Sequence, residues 1–399
     1  MADTRLSANA RLLIAGQGVR AFGYGFTAVV LGALLAARGY SHLRAGVVLT
    51  ALIAGTAISS LAIGRVADRV GRRKSYAAFF AAIAVAGAVV AAGAPFWVLL
   101  VVAVTGTLST DVVDNGPATT LEQVMLASED AGTSKVYGRY NSVGAASGAL
   151  GALAAALPGI GHHGTGAGVH AWLFAILVPV GVAGAICAMR LSPAVEATVS
   201  EAGVRETGRL VESKAVVRRL AALFALDAAG GGLVTTGFLS YFFAQRYHVS
   251  VASLGWLFFA VSVVQAVSVL LAPILARRFG LLQTMVGTHF PSNVLLASVA
   301  FAPTFPIAVV LLLARTTLSQ MDVPTRQALV MTVVTPGERT AAASVTNAAR
   351  YTVRPAGPLL AGVVQHVALG APLLVAGVVK GGYDVALWLW ARHLPLRRS

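Results

Sequence analysis

The chain has 399 residues, 57% of them hydrophobic and 11% charged, with a net charge of +15. A soluble domain carries about 25% charged residues, so this composition excludes a water-soluble globular protein and makes lipid the solvent for most of the chain. The single cysteine, Cys187, lies in an apolar run and excludes an intrachain disulfide or a multi-cysteine metal centre.

A polar N-terminus with Asp3, Arg5 and Arg11 precedes the first apolar run, which is too long for the core of a cleavable signal peptide. A membrane-crossing helix needs about 20 apolar residues. That criterion gives twelve spans, at 12–36, 45–63, 75–94, 96–117, 138–157, 171–190, 219–243, 252–275, 281–302, 306–331, 341–366 and 372–391. Between the second and third lies Gly64-Arg65-Val66-Ala67-Asp68-Arg69-Val70-Gly71-Arg72-Arg73-Lys74. Its six charges cannot lie in hydrocarbon, so it reads as a tight loop at a membrane surface.

The loop pattern G-x-x-x-D-R-x-G-R-R, two spans in from the N-terminus, resembles the signature loop of the major facilitator superfamily of secondary transporters. Gly64, Asp68, Arg69, Gly71, Arg72 and Arg73 are its gating residues on that resemblance. A weak repeat near 207 residues supports it: Arg20 aligns with Asp227, and the loop has a degraded copy at Ala276-Arg277-Arg278-Phe279-Gly280. The resemblance implies an all-α integral membrane protein of twelve helices in two pseudo-symmetric six-helix bundles. These are residues 1–190 and 219–399, joined by a cytoplasmic linker at 191–218, with the substrate site near the midplane. The alternating charges of the linker, Glu196 among them, suggest a solvated segment with a short amphipathic helix.

Lys and Arg crowd one side. With a cytoplasmic N-terminus, only Arg38, Arg44 and Arg246 fall outside, which places both termini in the cytoplasm of a plasma (inner) membrane. The basic balance then marks topology and anionic lipid rather than a nucleic-acid partner. His162, His163 and His170, in a glycine-rich outer loop, read as a flexible segment rather than a metal site.

Charges inside the bilayer each cost at least about 2.5–3.5 kcal/mol, so each one needs a reason. Candidates for the substrate and proton pathway are Arg20, Asp227, Asp111, Asp114, Arg315, Arg350 and Arg354. The repeat suggests that Arg20 and Asp227 meet across the cavity. Asp111 and Asp114, at i,i+3, share one face of the fourth span. Arg350 and Arg354 either attract an anionic substrate or neutralise acids on neighbouring helices. Asp322–Arg326 and Lys380–Asp384, at i,i+4, read as pairs within their own helices. Met285 and His289 read as packing and hydrogen-bonding residues. Glu122 and Glu129 read as cytoplasmic and outside the site.

No Arg occupies the middle of the fourth span, and the fifth lacks a Gly-Pro motif, both of which depart from the drug/proton antiporter branch. The absence of a phosphate-binding loop sets ATP aside as energy source. The expected function is secondary active transport of a small organic solute by a monomer without cofactor, as proton-coupled efflux. The alternatives are uptake or exchange of an organic anion, and a non-transporting receptor on the same fold.

Overall fold

The computed structural model describes residues 6–111, 116–127, 134–157, 171–196, 210–335 and 338–393. Every regular element among them is helical. In chain order these are α1 (Ala8–Ala37), α2 (His42–Val70), α3 (Arg72–Ala91), α4 (Phe96–Val104), α5 (Pro117–Ala127), α6 (Ser134–Ala154) and α7 (Leu177–Met189). Then follow α8 (Lys214–Gly232), α9 (Thr236–Tyr247), α10 (Val251–Phe279), α11 (Leu281–Val299), α12 (Phe305–Ser319), α13 (Asp322–Val333), α14 (Arg339–Val353), α15 (Ala356–Val364) and α16 (Ala371–Ala391).

Among the described residues, eight helical stretches are long and apolar enough to cross a membrane. Each coincides with a predicted span. The other four predicted spans, at 96–117, 138–157, 281–302 and 341–366, fall on helices that are shorter, broken or more polar. The breaks have local causes. After α4, the Thr105 hydroxyl bonds back to Val102 O (2.6 Å) and Gly106 takes a positive φ of 72°, so hydroxyl and glycine chemistry replaces the helix ladder. Pro355 separates α14 from α15.

The chain forms two compact units. One comprises residues 1–203 with 239–259, the other 204–238 with 260–399. In the first, α1 packs along α6 and α7, and α3 packs along α7. Backbones touch there: a β-carbon on Gly25 would overlap Gly148 O, and one on Gly151 would overlap Phe22 O. In the second unit, α8 packs on α14 and α16, and α11 on α12 and α16. Its core joins Leu220, Phe224, Met285, Leu329, Tyr383 and Leu387.

Candidate functional site

Among the described residues, each unit buries a network of charged side chains. In the second unit the centre is Asp227 on α8, whose side chain is 5% exposed. Lys380 on α16 donates to its Oδ1. His289 on α11 holds Nε2 3.7 Å from the same oxygen, while its Nδ1 lies 2.8 Å from Asp384 Oδ1. Each ring nitrogen therefore faces a carboxylate. A ring protonated on both can serve both, and a neutral ring only one. Asn293, one turn after His289, donates to Asp384 Oδ2 (2.8 Å).

On the other side of Asp227, Arg326 of α13 bonds Asp322 Oδ2 at 2.5 Å and comes within 3.5 Å of Asp227 Oδ2. Arg350 of α14 is 4.0 Å from that oxygen. Five helices thus converge on one carboxylate. Removing a single partner from such a buried pair costs about 3–5 kcal/mol, because the remaining charge is uncompensated.

The first unit holds the second network. Arg20 Nη2 on α1 donates to Glu122 Oε2 (2.8 Å), to Thr119 Oγ1 (2.9 Å) and to Gln17 Oε1. Tyr76 of α3 donates to Glu122 Oε1 (2.6 Å), and Tyr140 of α6 donates to Oε2. The Arg20 and Glu122 side chains are both fully buried. Here one cation meets one carboxylate, so the charges balance.

The joint between α2 and α3 is a single residue. Gly71 has φ 105°, a conformation that a side chain resists. The α3 N-terminus is capped from a distance: Glu196 accepts from the backbone N–H of Arg72 (2.6 Å) and of Arg73 (3.2 Å). The Arg73 guanidinium donates to Met189 O (3.1 Å) and the Arg72 guanidinium to Val195 O (3.4 Å). Gly280 repeats the device between α10 and α11, with φ 92°.

Comparison with known proteins adds the family. A sequence profile described as Major Facilitator Superfamily matches residues 13–358. The chain belongs to the Major Facilitator Superfamily. It is 25% identical to the uncharacterized membrane protein YJR124C of Saccharomyces cerevisiae, over 90% of this chain and 88% of that protein. Its fold is similar to that of the nucleoside transporter NupG (TM-score 0.74, 14% identity, 96% of this chain and 98% of that one). It is also similar to a D-xylose-proton symporter (TM-score 0.69, 16% identity, 98% and 99%) and a POT-family peptide transporter (TM-score 0.73, 11% identity, 98% and 98%). The protein is thus a multi-pass membrane protein built on a transporter fold.

Within this superfamily member several predicted partnerships are redrawn. Arg20 and Asp227, expected to interact in one or two states of a transport cycle, here each have a partner in their own unit, Glu122 and Lys380. Glu122 is not a cytoplasmic surface residue but the buried counter-ion of Arg20. The helix resumes at Pro117 and carries Glu122 inward, so a stretch that hydropathy reads as a loop continues the span. Lys380 and Asp384 do not pair. Lys380 turns to Asp227, and Asp384 to His289 and Asn293. Asp322–Arg326 does form as predicted. His289 is hydrogen-bonded and Met285 packed in the core, again as predicted.

Asp111 lies in the irregular stretch after α4, not on a helix face, because α4 ends at Val104. Asp114, Glu129, His162, His163, His170, residues 197–209 of the predicted linker, the surroundings of Gly64 and the side chain of Asp68 lie outside the described residues. Arg69 is exposed at the end of α2. Glu196, read as a solvated linker charge, is instead the cap of α3. Sequence reasoning passed over Gln17, Tyr76, Thr119 and Tyr140 of the first network and, in the second, Asn293, one turn after His289 on α11. A polar i,i+4 pair in an otherwise apolar run was the available signal.

Proposed function

We propose that this protein is a proton-coupled secondary active transporter that exports a small organic solute by alternating access. It would work in the plasma membrane with both termini in the cytoplasm, the charge asymmetry of its loops supporting that orientation. Two bundles, 1–190 and 219–399, would be the moving halves. The observation that carries the reading is Asp227, one buried carboxylate shared by Lys380, His289, Arg326 and Arg350. A carboxylate that loses such partners as helices shift stays buried at low cost only by taking a proton. Proton and solute then compete for one set of groups, which is the minimum a coupled carrier requires. The Gly64–Lys74 loop would act as the gate, with Gly71 and the Arg72 and Arg73 anchors setting the angle of α3.

The test is transport in proteoliposomes. With an imposed pH gradient, the wild type should drive accumulation of a transported solute. Asp227→Asn should abolish that accumulation, by tenfold or more, while sparing solute exchange at equal pH. Accumulation by Asp227→Asn with unchanged pH dependence would remove Asp227 from the coupling step. Solute binding without any flux would favour a receptor on the same fold.

A further inference from the structure

Three carboxylates, Asp227, Asp322 and Asp384, anchor the second network, and each has a near partner: Lys380 for Asp227, Arg326 for Asp322 and His289 for Asp384. The Arg350 guanidinium is left over: among the described residues it reaches no carboxylate oxygen closer than 4.0 Å. Its Nε atom, like that of Arg315 on α12, is buried without a hydrogen-bond partner. Arg350 is also the accessible edge of the network. Its side chain is 26% exposed, whereas those of Lys380, Arg326, Asp227, His289 and Asp384 are 8% or less.

We infer that Arg350 is the docking group for the solute's oxyanion, so that the transported compound is an organic anion with an apolar body. Guanidinium is the side chain suited to this, because it stays charged when buried and offers planar paired donors to an oxyanion. An incoming anion would replace Asp227 as counter-ion to Arg350 and leave Asp227 to Lys380. In the Arg20–Glu122 network, by contrast, the cation has its carboxylate at 2.8 Å and both side chains are fully buried. The inference deepens the transport reading and rests on it only for the word transported.

Binding to the purified full-length protein in detergent tests the site without any gradient. The probes are phenylacetate and 4-phenylbutyrate, with phenylacetamide as neutral match, phenethylamine as cationic match and benzylphosphonate as a second oxyanion. Thermal stabilisation titrated against each should favour the carboxylates over the amide and amine by at least tenfold. Benzylphosphonate decides between a carboxylate-specific and a general oxyanion site. Arg350→Gln should weaken carboxylate binding by tenfold or more, and Arg350→Lys should restore part of it. Asp227→Asn should tighten binding several-fold, since it removes the competing carboxylate. Equal stabilisation by the amide or amine, no stabilisation by either carboxylate, or unchanged binding in Arg350→Gln would overturn the inference. Solute counterflow in proteoliposomes separates the two readings. Anion binding without counterflow sinks transport alone, and counterflow with no anion preference sinks the oxyanion site alone.

Discussion

Glu122 carries the heaviest load of any single residue in the first unit. Its two oxygens receive the Arg20 guanidinium and two tyrosine hydroxyls, and nothing polar on the carboxylate is left to water. Glu122→Gln should therefore destabilise the protein by about 3–5 kcal/mol, the range for stranding one member of a buried ion pair. Arg20→Leu combined with Glu122→Gln should recover part of that loss, because neither charge is then stranded. Thermal unfolding in detergent of the two variants and the wild type reads the difference. A single variant as stable as wild type would mean that water reaches the pair. Sequence alone identified Arg20 as needing a partner and named Asp227 from repeat symmetry. It passed over Glu122, which stands beyond a glycine and a proline that look like a helix end. The Asp322–Arg326 pair was legible because both groups sit on one helix, where spacing fixes geometry. Asp227–Lys380 was not, because helices distant in sequence supply its two halves.

Two helix entrances in this protein are held by acids from elsewhere in the chain. Glu196 serves α3, and Glu338, just before α14, accepts from the backbone N–H of Val211 (2.5 Å), Glu212 (2.9 Å) and Ser213 (2.8 Å) at the entrance to α8. Those hydrogen bonds, the Val211 N–H foremost, hold the Glu338 carboxyl down at about 2. A depressed carboxylate contributes stability that is fully present above its unfolded value of about 4.3 and is lost as pH falls through its folded value. The wild-type melting temperature should thus drop between pH 5 and pH 2 more steeply than that of Glu338→Gln, and Glu338→Gln should melt lower at pH 7. Parallel curves would show that the cap does not form in solution. The two single-glycine joints were within reach of sequence, since the repeat aligned the regions around Gly71 and Gly280. The acids that cap the helices were not, because a lone Glu among alternating charges carries no periodic signal.

At the scale of the molecule, the compact units do not follow the sequence midpoint. Residues 239–259 belong with the first unit, where Ser240 donates to Val29 O (2.6 Å) and the Tyr241 hydroxyl donates to Tyr40 O (3.0 Å). His42 Nδ1 is 3.0 Å from the same hydroxyl. Tyr241→Phe should therefore loosen α9 by about 1 kcal/mol, the net worth of a buried hydrogen bond. Hydrogen exchange should quicken across 239–247 and stay unchanged in α3. Uniform protection across 239–247 in the variant would show that aromatic packing alone holds the segment. Hydropathy could find the spans and their order, because lipid imposes length and apolarity on each one separately. Which spans share a unit depends on side chains that meet only after folding.

The contact of Gly25 with Gly148 and of Gly151 with Phe22 has a further consequence. At these two points backbone meets backbone, and no side chain there can be trimmed to compensate for one that is added, so α1 and α6 cannot be re-spaced there by small steps. Gly232 of α8 against Gly357, and Gly377 of α16 against Asn293 O, make the same kind of contact in the second unit. In both units, adaptation to a new solute must therefore leave these close approaches alone and act on positions where side chains set the spacing.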